Sequence, residues 1–252
     1  MIAESKVKTF LRNHSFDYGT VQIRSPFNGM PLDSHMLFRK DTKHILKVGI
    51  DKADVPFTNL EACEPIRRLS DHISVNLLNV HHDGKDTIMS LRVGRSRGIY
   101  MKIGDIKIEK RLLLSNSNTS KKVSLTISPS ITTGGIHFEV GSFPTIHEFH
   151  NTNLYSEHPT ENTANMINAH FDVLSEIYNK MLNTQITEEY AKSTTEILLK
   201  TASTQAQKEV YNSIMFLLEV KNPANLFHLH LFHCRRIPNS AQKSINLLYK
   251  KT

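Results

Sequence analysis

From Ser34 to Ser128 apolar and polar residues alternate in period two, and turn residues cut the runs into short pieces, a pattern of β-strands. His35 to Phe38 and His44 to Val48, joined through Lys40-Asp41-Thr42-Lys43, predict a hairpin. The alternation stops at Asn59 to His72, where Leu60, Cys63, Ile66 and Leu69 fall at helical spacing. It then resumes. Met89, Leu91 and Val93 share one face of a strand ending at the turn Gly94-Arg95-Ser96-Arg97-Gly98, and Ile99, Met101 and Ile103 share a face of the next. Gly104-Asp105 turns the chain into Ile106 and Ile108, and beyond the polar loop Ser115 to Ser120 the apolar set continues with Val123, Leu125 and Ile127. His81-His82-Asp83-Gly84 reads as a tight hairpin turn, Asp-Gly supplying the positive φ that such a turn needs.

The second half changes period. Ala164, Ile167, Phe171, Leu174, Ile177 and Met181 predict an amphipathic helix behind an N-cap at Thr160. A second helix starts at Thr187 and carries Tyr190, Ile197 and Leu198. A third follows Thr204, with Gln207 completing a capping box before Val210, Ile214, Leu217 and Leu218. A last short one opens at Pro238-Asn239 and carries Ile245 and Leu248. The expected fold class is α+β: a mostly antiparallel β-meander, with a hairpin and a helix before it, covered by C-terminal helices. A β-rich part over 1–158 and a helical part over 159–252 are expected to pack as one structural unit.

Charge sharpens the picture through its distribution. The net +7 over 252 residues is the balance of larger local terms. Lys85 to Lys122 carries 10 basic and 3 acidic residues, Val123 to Val220 carries 4 basic and 11 acidic, and the tail from Lys221 carries 6 basic and none acidic. On strands, the residues opposite the apolar set are Arg92, Tyr100, Lys102, Lys107, Arg111 and Lys122, with Arg95, Arg97 and Lys121 in the adjoining loops. One sheet is thus expected to pack on the core with one face and to present cations and an aromatic on the other. Single-stranded nucleic acid is held by that combination; a solvated, aggregation-resisting sheet face is the plainer alternative. Arg235 and Arg236 would add a contact from the tail.

Enzyme motifs are scarce. No phosphate loop, dinucleotide fingerprint, H-E-x-x-H or nucleophile elbow is present, and the Ser and Thr residues between Ser115 and Thr133 have no paired base. No cofactor is expected, and the chain is read as a non-enzyme. His228, His230, His233 and Cys234 lie close together, and on a strand His228 and His230 would share a face, so a zinc site with Cys63 or a distant histidine is one reading. The other is a packed segment, with Leu226, Phe227, Leu229, Leu231 and Phe232 interleaved and the histidines turned to solvent or phosphate. Two cysteines are too few for a disulfide framework, no signal-peptide apolar core opens the chain, and the longest apolar run is Ile214 to Leu218. An intracellular, cytoplasmic protein without a membrane segment is expected.

The hairpin Phe38-Arg39-Lys40-Asp41-Thr42, the following helix, the Ile103-Gly104-Asp105 turn and the strand Arg111-Leu112-Leu113-Leu114-Ser115-Asn116-Ser117 together resemble the phage- and plasmid-encoded domain-of-unknown-function family nine-three-two. Its members combine an "R-x-D-T" hairpin, a "G-D" turn and a "Y-L-L-L-x-N-S" strand. The order of elements is also similar to the DNA-binding core of single-strand annealing recombinases, and that resemblance implies rings holding single-stranded DNA in a basic groove without ATP. The leading expectation is a phage- or plasmid-type single-stranded-DNA-binding and annealing protein in a bacterial host, assembled as a homo-oligomeric ring or filament. The alternatives are an interaction or structural protein docking on an acidic partner, and a metal-dependent nucleic-acid enzyme.

Overall fold

The computed structural model describes residues 9, 18–51, 54–82, 86–117, 119–133, 136–140, 145–150, 161–199 and 225–236. The fold is α+β, with antiparallel sheets and helices toward the C-terminus. Its residues group into two compact units that interleave along the chain. One comprises 1–97, 111–127 and 145–167, the other 98–110, 128–144 and 168–252. The division does not follow the expected boundary at 158/159, because two stretches of the β-rich half belong with the helical residues.

In the first unit, β1 (Tyr18–Arg24), β2 (Pro31–Arg39) and β3 (Ile45–Ile50) form a three-stranded sheet. The expected hairpin is β2–β3, closed by backbone bonds from Arg39 N to His44 O and from Lys43 N to Arg39 O, with Lys43 at φ 57°. Tyr18, Leu37 and Ile50 are buried together, with Leu46 and Val55 packed against them.

The expected helix over 59–72 is two short ones, α1 (Asn59–Ala62) and α2 (Glu64–Leu69), broken at Cys63. Pro65, in the first turn of α2, has no N–H to continue the first helix's ladder, so the second turn starts afresh. Thr58 and Glu61 form a capping box in which Glu61 N donates to Thr58 Oγ1 at 3.2 Å and Thr58 N donates to Glu61 Oε2 at 2.7 Å. Cys63, Ile66 and Leu69 turn inward as expected; Leu60 is exposed.

The larger sheet has the order β12 (Thr145–His150), β9 (Lys122–Ile127), β8 (Arg111–Ser117), β5 (Asp86–Val93), β4 (Val75–His82). Residues 83–85 of the expected turn lie outside the described residues, although His82 and Thr87 on either side pair directly. Met89, Leu91, Val93, Leu112, Leu114, Val123, Leu125 and Ile127 make one buried face. The segment carrying α1 and α2 meets this face: Cys63 Sγ lies 3.3 Å from Met89 Sδ, and Asn116 Nδ2 donates to Phe57 O and Asn59 Oδ1, each at 2.9 Å.

The antiparallel meander is divided between two sheets. β5 pairs with β8, Met89 opposite Leu114 and Arg92 opposite Arg111, rather than with the strand that follows it. Gly94 at φ 98° and Ser96 at φ 49° end β5 and redirect the chain, and β8 offers β5 a seven-residue partner with a matching apolar face. The excluded residues make β6 (Tyr100–Ile103) and β7 (Ile106–Glu109), which belong to a different, four-stranded sheet ordered β11 (Ile136–Glu139), β10 (Ser130–Thr133), β7, β6. That sheet lies in the second unit. β9 and β12 likewise pair directly, Thr126 opposite Thr145, around the excursion that holds β10 and β11.

The described helices of the second half are α3 (Glu161–Asn183), α4 (Glu188–Leu199) and α5 (Leu226–Arg236). Along α3, Ala164, Ile167, Phe171, Leu174 and Met181 are buried as expected, but Tyr178 takes the place expected for Ile177, because seven residues on from Phe171 bring the period to Tyr178. Its hydroxyl donates to Val140 O at 2.8 Å. Thr187 caps α4, its Oγ1 accepting from Tyr190 N at 3.1 Å, and Ala191, Thr194 and Thr195 are buried while Ile197 is exposed. Thr160 and the helices expected after Thr204 and Pro238 lie outside the described residues.

Candidate nucleic-acid interface

The residues expected on one basic face fall on two sheets. On the β6–β7 hairpin the sequence Tyr100-Met101-Lys102-Ile103 turns Met101 and Ile103 inward and Tyr100 and Lys102 outward, and Gly104, at φ 57°, makes the reversal. The register then sets Lys102 directly opposite Lys107, both exposed, and Tyr100, 39% exposed, opposite Glu109. Like charges facing each other across a strand pair destabilise it by a few tenths to about 1 kcal/mol, so the hairpin keeps this arrangement against its own local preference. Lys110, next in the chain, places its Nζ 5.7 Å from the Phe171 ring centroid.

The five-stranded sheet holds the second group. Arg92 and Arg111 are direct cross-strand partners, both half-buried. Lys122, also half-buried, starts β9 beside the far end of β8, roughly 20 Å along the strands from that pair at about 3.4 Å per residue. Lys121 Nζ stands 5.4 Å from the Phe57 ring centroid, so part of its charge is turned to the protein's own aromatic. Arg95 is exposed in the bend after β5. Arg97 has a described backbone only, and so have Arg235 and Arg236 at the end of α5.

The motif residues behind the family resemblance perform structural tasks. Arg39 holds Asp41 through two bonds, Nε to Oδ1 at 3.0 Å and Nη2 to Oδ2 at 2.7 Å, and Thr42 N donates to the same carboxylate at 2.9 Å. The bonds from Arg39 keep the Asp41 carboxyl down at about 2. Gly104 makes a turn, and Asn116 ties β8 to the segment that covers it.

The histidine segment is helical, not extended. Asn225 starts α5, its Oδ1 accepting from His228 N at 2.9 Å, and helical spacing sets His230 and Cys234 on one side, 3.7 Å apart. His233 Nε2 meets Thr195 Oγ1 at 3.0 Å, and the Tyr178 ring lies 5.7 Å from that of His230. His230 and His233 are buried, which overturns the expectation that they face solvent or phosphate. Burial pushes His230 down to about 4; burial, then the neighbouring His230, pushes His233 down to about 3. Both are neutral at pH 7. Among the described residues no group of three or more His, Cys, Asp or Glu side chains is arranged to hold a metal ion. Cys63 is a buried free thiol pushed up to about 12, too poor a thiolate to act as a nucleophile.

An aromatic that the alternation does not mark, Phe27 at the β1–β2 turn, is 96% exposed. Its neighbours Pro26 and Gly29 mark a turn, but periodicity carries no sign of exposure there. Among the described residues no helix is long and apolar enough to cross a membrane. Comparison with protein-family models, curated proteins and solved structures finds no match to this chain.

Proposed function

We propose that the chain is a single-stranded-DNA-binding and ATP-independent annealing protein of phage or plasmid type, acting as a homo-oligomer inside the bacterial cell. The observation that carries this reading is the outer face of the β6–β7 hairpin, where two exposed lysines oppose each other beside an exposed tyrosine. A phosphate between Lys102 and Lys107 converts a repulsive pair into two attractive contacts, and Tyr100 offers a plane on which any base can stack. Arg95, in the other unit, is exposed and is a separate candidate for phosphate contact. Arg92, Arg111, Lys121 and Lys122 are half-buried and make the weaker contribution.

The test is a salt titration of binding to a labelled single-stranded oligonucleotide, with duplex DNA alongside. Affinity falls with a log–log slope of about −0.7 per phosphate contact for the native chain. Reversing both hairpin lysines (Lys102→Glu, Lys107→Glu) lowers affinity by at least about tenfold and flattens the slope by one to two contacts. Tyr100→Ala lowers affinity by roughly five- to a hundredfold with the slope unchanged, since stacking is not ionic. A flat salt response, or full affinity in the double reversal, overturns the reading.

A further inference from the structure

Two exposed apolar faces play no part in that interface. One is the outer side of β1–β2–β3. Alternation puts Leu32, Met36 and Phe38 of β2 on that side, and the register extends it over both neighbours, with Val21 and Val48 opposite Met36 and Ile45 opposite Phe38. Val21, Leu32, Ile45 and Val48 are each between 42% and 58% exposed, whereas the other side of the same sheet closes on Tyr18, Leu37 and Ile50. Single exposed aliphatics are ordinary, but a run of them across three strands marks a contact surface.

The rim of this face is basic. Lys43 Nζ lies 5.7 Å from the Phe38 ring centroid, and Lys40 Cε lies 3.5 Å from where a Cβ on Gly19 would stand, both at the β2–β3 turn. Asp41, at the same end as the two lysines, is held by Arg39.

The other face is on α3. Met166, Val173 and Ile177 follow one another at seven and four residues, on one stripe of the helix, and are 39% to 53% exposed. Its flank is net acidic, with Asp172 and Glu176 exposed beside it against one exposed lysine, Lys180, and α3 and α4 together carry six acidic and two basic residues.

We propose that these faces dock on each other between copies of the chain, the α3 stripe of one protomer lying across the outer side of the three-stranded sheet of the next. The dimensions agree. Three strands about 4.8 Å apart make a platform roughly 10 Å wide, close to a helix diameter, and the twelve residues from Met166 to Ile177 span roughly 16 Å against roughly 20 Å from Leu32 to Phe38 of β2. An acidic flank on a basic rim favours this pairing, while sheet against sheet sets basic rim on basic rim. Aliphatic side chains also provide no plane for a base, so the surface suits protein rather than nucleic acid. Each copy then offers one helix stripe and one sheet face, a contact that a second copy returns in a two-fold dimer or that further copies extend into a ring or a filament. It names the contact by which a homo-oligomer would form, and it stands on the two apolar faces, not on the nucleic-acid reading.

The experiment is light scattering of the purified full chain across a concentration series without nucleic acid. Val48→Glu sets an acid against the acidic helix flank, and Val173→Lys sets a cation against the basic rim. The native chain exceeds its 28.8 kDa monomer mass as concentration rises, and each variant alone stays at that mass. An equimolar mixture of the two variants doubles it, because one chain keeps its helix stripe and the other its sheet face. A native chain monomeric throughout, a variant that still self-associates, or a mixture that stays monomeric overturns the proposal. Thermal melts confirm that the variants are folded, and Ile45→Glu or Ile177→Lys replaces one that is not. Oligonucleotide affinity of the monomeric variants is measured separately, so failure here leaves the hairpin interface untouched, and the reverse.

Discussion

The two sheets of the first unit are built from the same kind of strand and end differently. In the five-stranded sheet the apolar face, with Met89, Leu91, Leu112, Leu114 and Leu125, is fully closed over. In the three-stranded sheet the apolar outer side, with Val21, Ile45 and Val48, stays in water. Equal hydrophobicity on a strand therefore has unequal consequences: in one sheet it holds the unit together, and in the other it is available to a partner.

The strongest way to break this comparison is truncation on each sheet. At a concentration low enough for the chain to be monomeric, Leu114→Ala, at a fully buried position, should cost about 2–5 kcal/mol in urea unfolding, and Val48→Ala, more than half exposed, less than about 0.5 kcal/mol. Equal losses would mean that the outer side of the small sheet is covered within the monomer.

Acid separates the helices from both sheets. His230 and His233 are held below the ordinary histidine value of 6.5, so the unfolded chain binds more protons than the folded one between 6.5 and about 4. The stability of their neutral state is fully present above pH 6.5 and is lost as pH falls toward the folded values, at about 1.4 kcal/mol per pH unit for each imidazole. Hydrogen exchange from pH 7 to pH 5 should therefore show α4 and α5 losing protection before β5 and β8; loss in the reverse order would place the acid-sensitive group elsewhere.

A further loss concerns what closes the large sheet. Asn116→Ala removes the donor to Phe57 O and Asn59 Oδ1 at a buried site and should cost about 1–3 kcal/mol, read as a shift of the urea midpoint at constant slope. A neutral outcome would mean that apolar packing alone holds α1 and α2 against the sheet.

Much of the architecture was legible because it depends on local period. The β2–β3 hairpin, the buried sets on β5 and β9, the Gly104 turn and the α3 stripe all follow from alternation or 3.6-residue spacing. Pairing between strands does not. Nothing near Val93 states that its strand will pair with Leu112 and its neighbours rather than with Met101, and so one expected basic face became two groups on two sheets. The segment Leu226 to Cys234 shows the other limit: it alternates like a strand, yet Asn225 nucleates a helix, and the histidines that alternation would have spread over solvent are buried on helical spacing instead. Exposure of an apolar face escapes periodicity altogether, since Val48 and Leu46 look alike until a partner is or is not there.

The direct pairing of β5 with β8 and of β9 with β12 has a consequence for how the chain is assembled. Arg92 faces Arg111 and Thr126 faces Thr145, so each excursion departs from and returns to neighbouring points of one sheet. The four strands of the second unit's sheet are in that sense two inserts, each replaceable by a tight turn without a change in the host's strand order. The lysine-bearing hairpin is the first of them, a removable attachment on a scaffold whose connectivity does not need it.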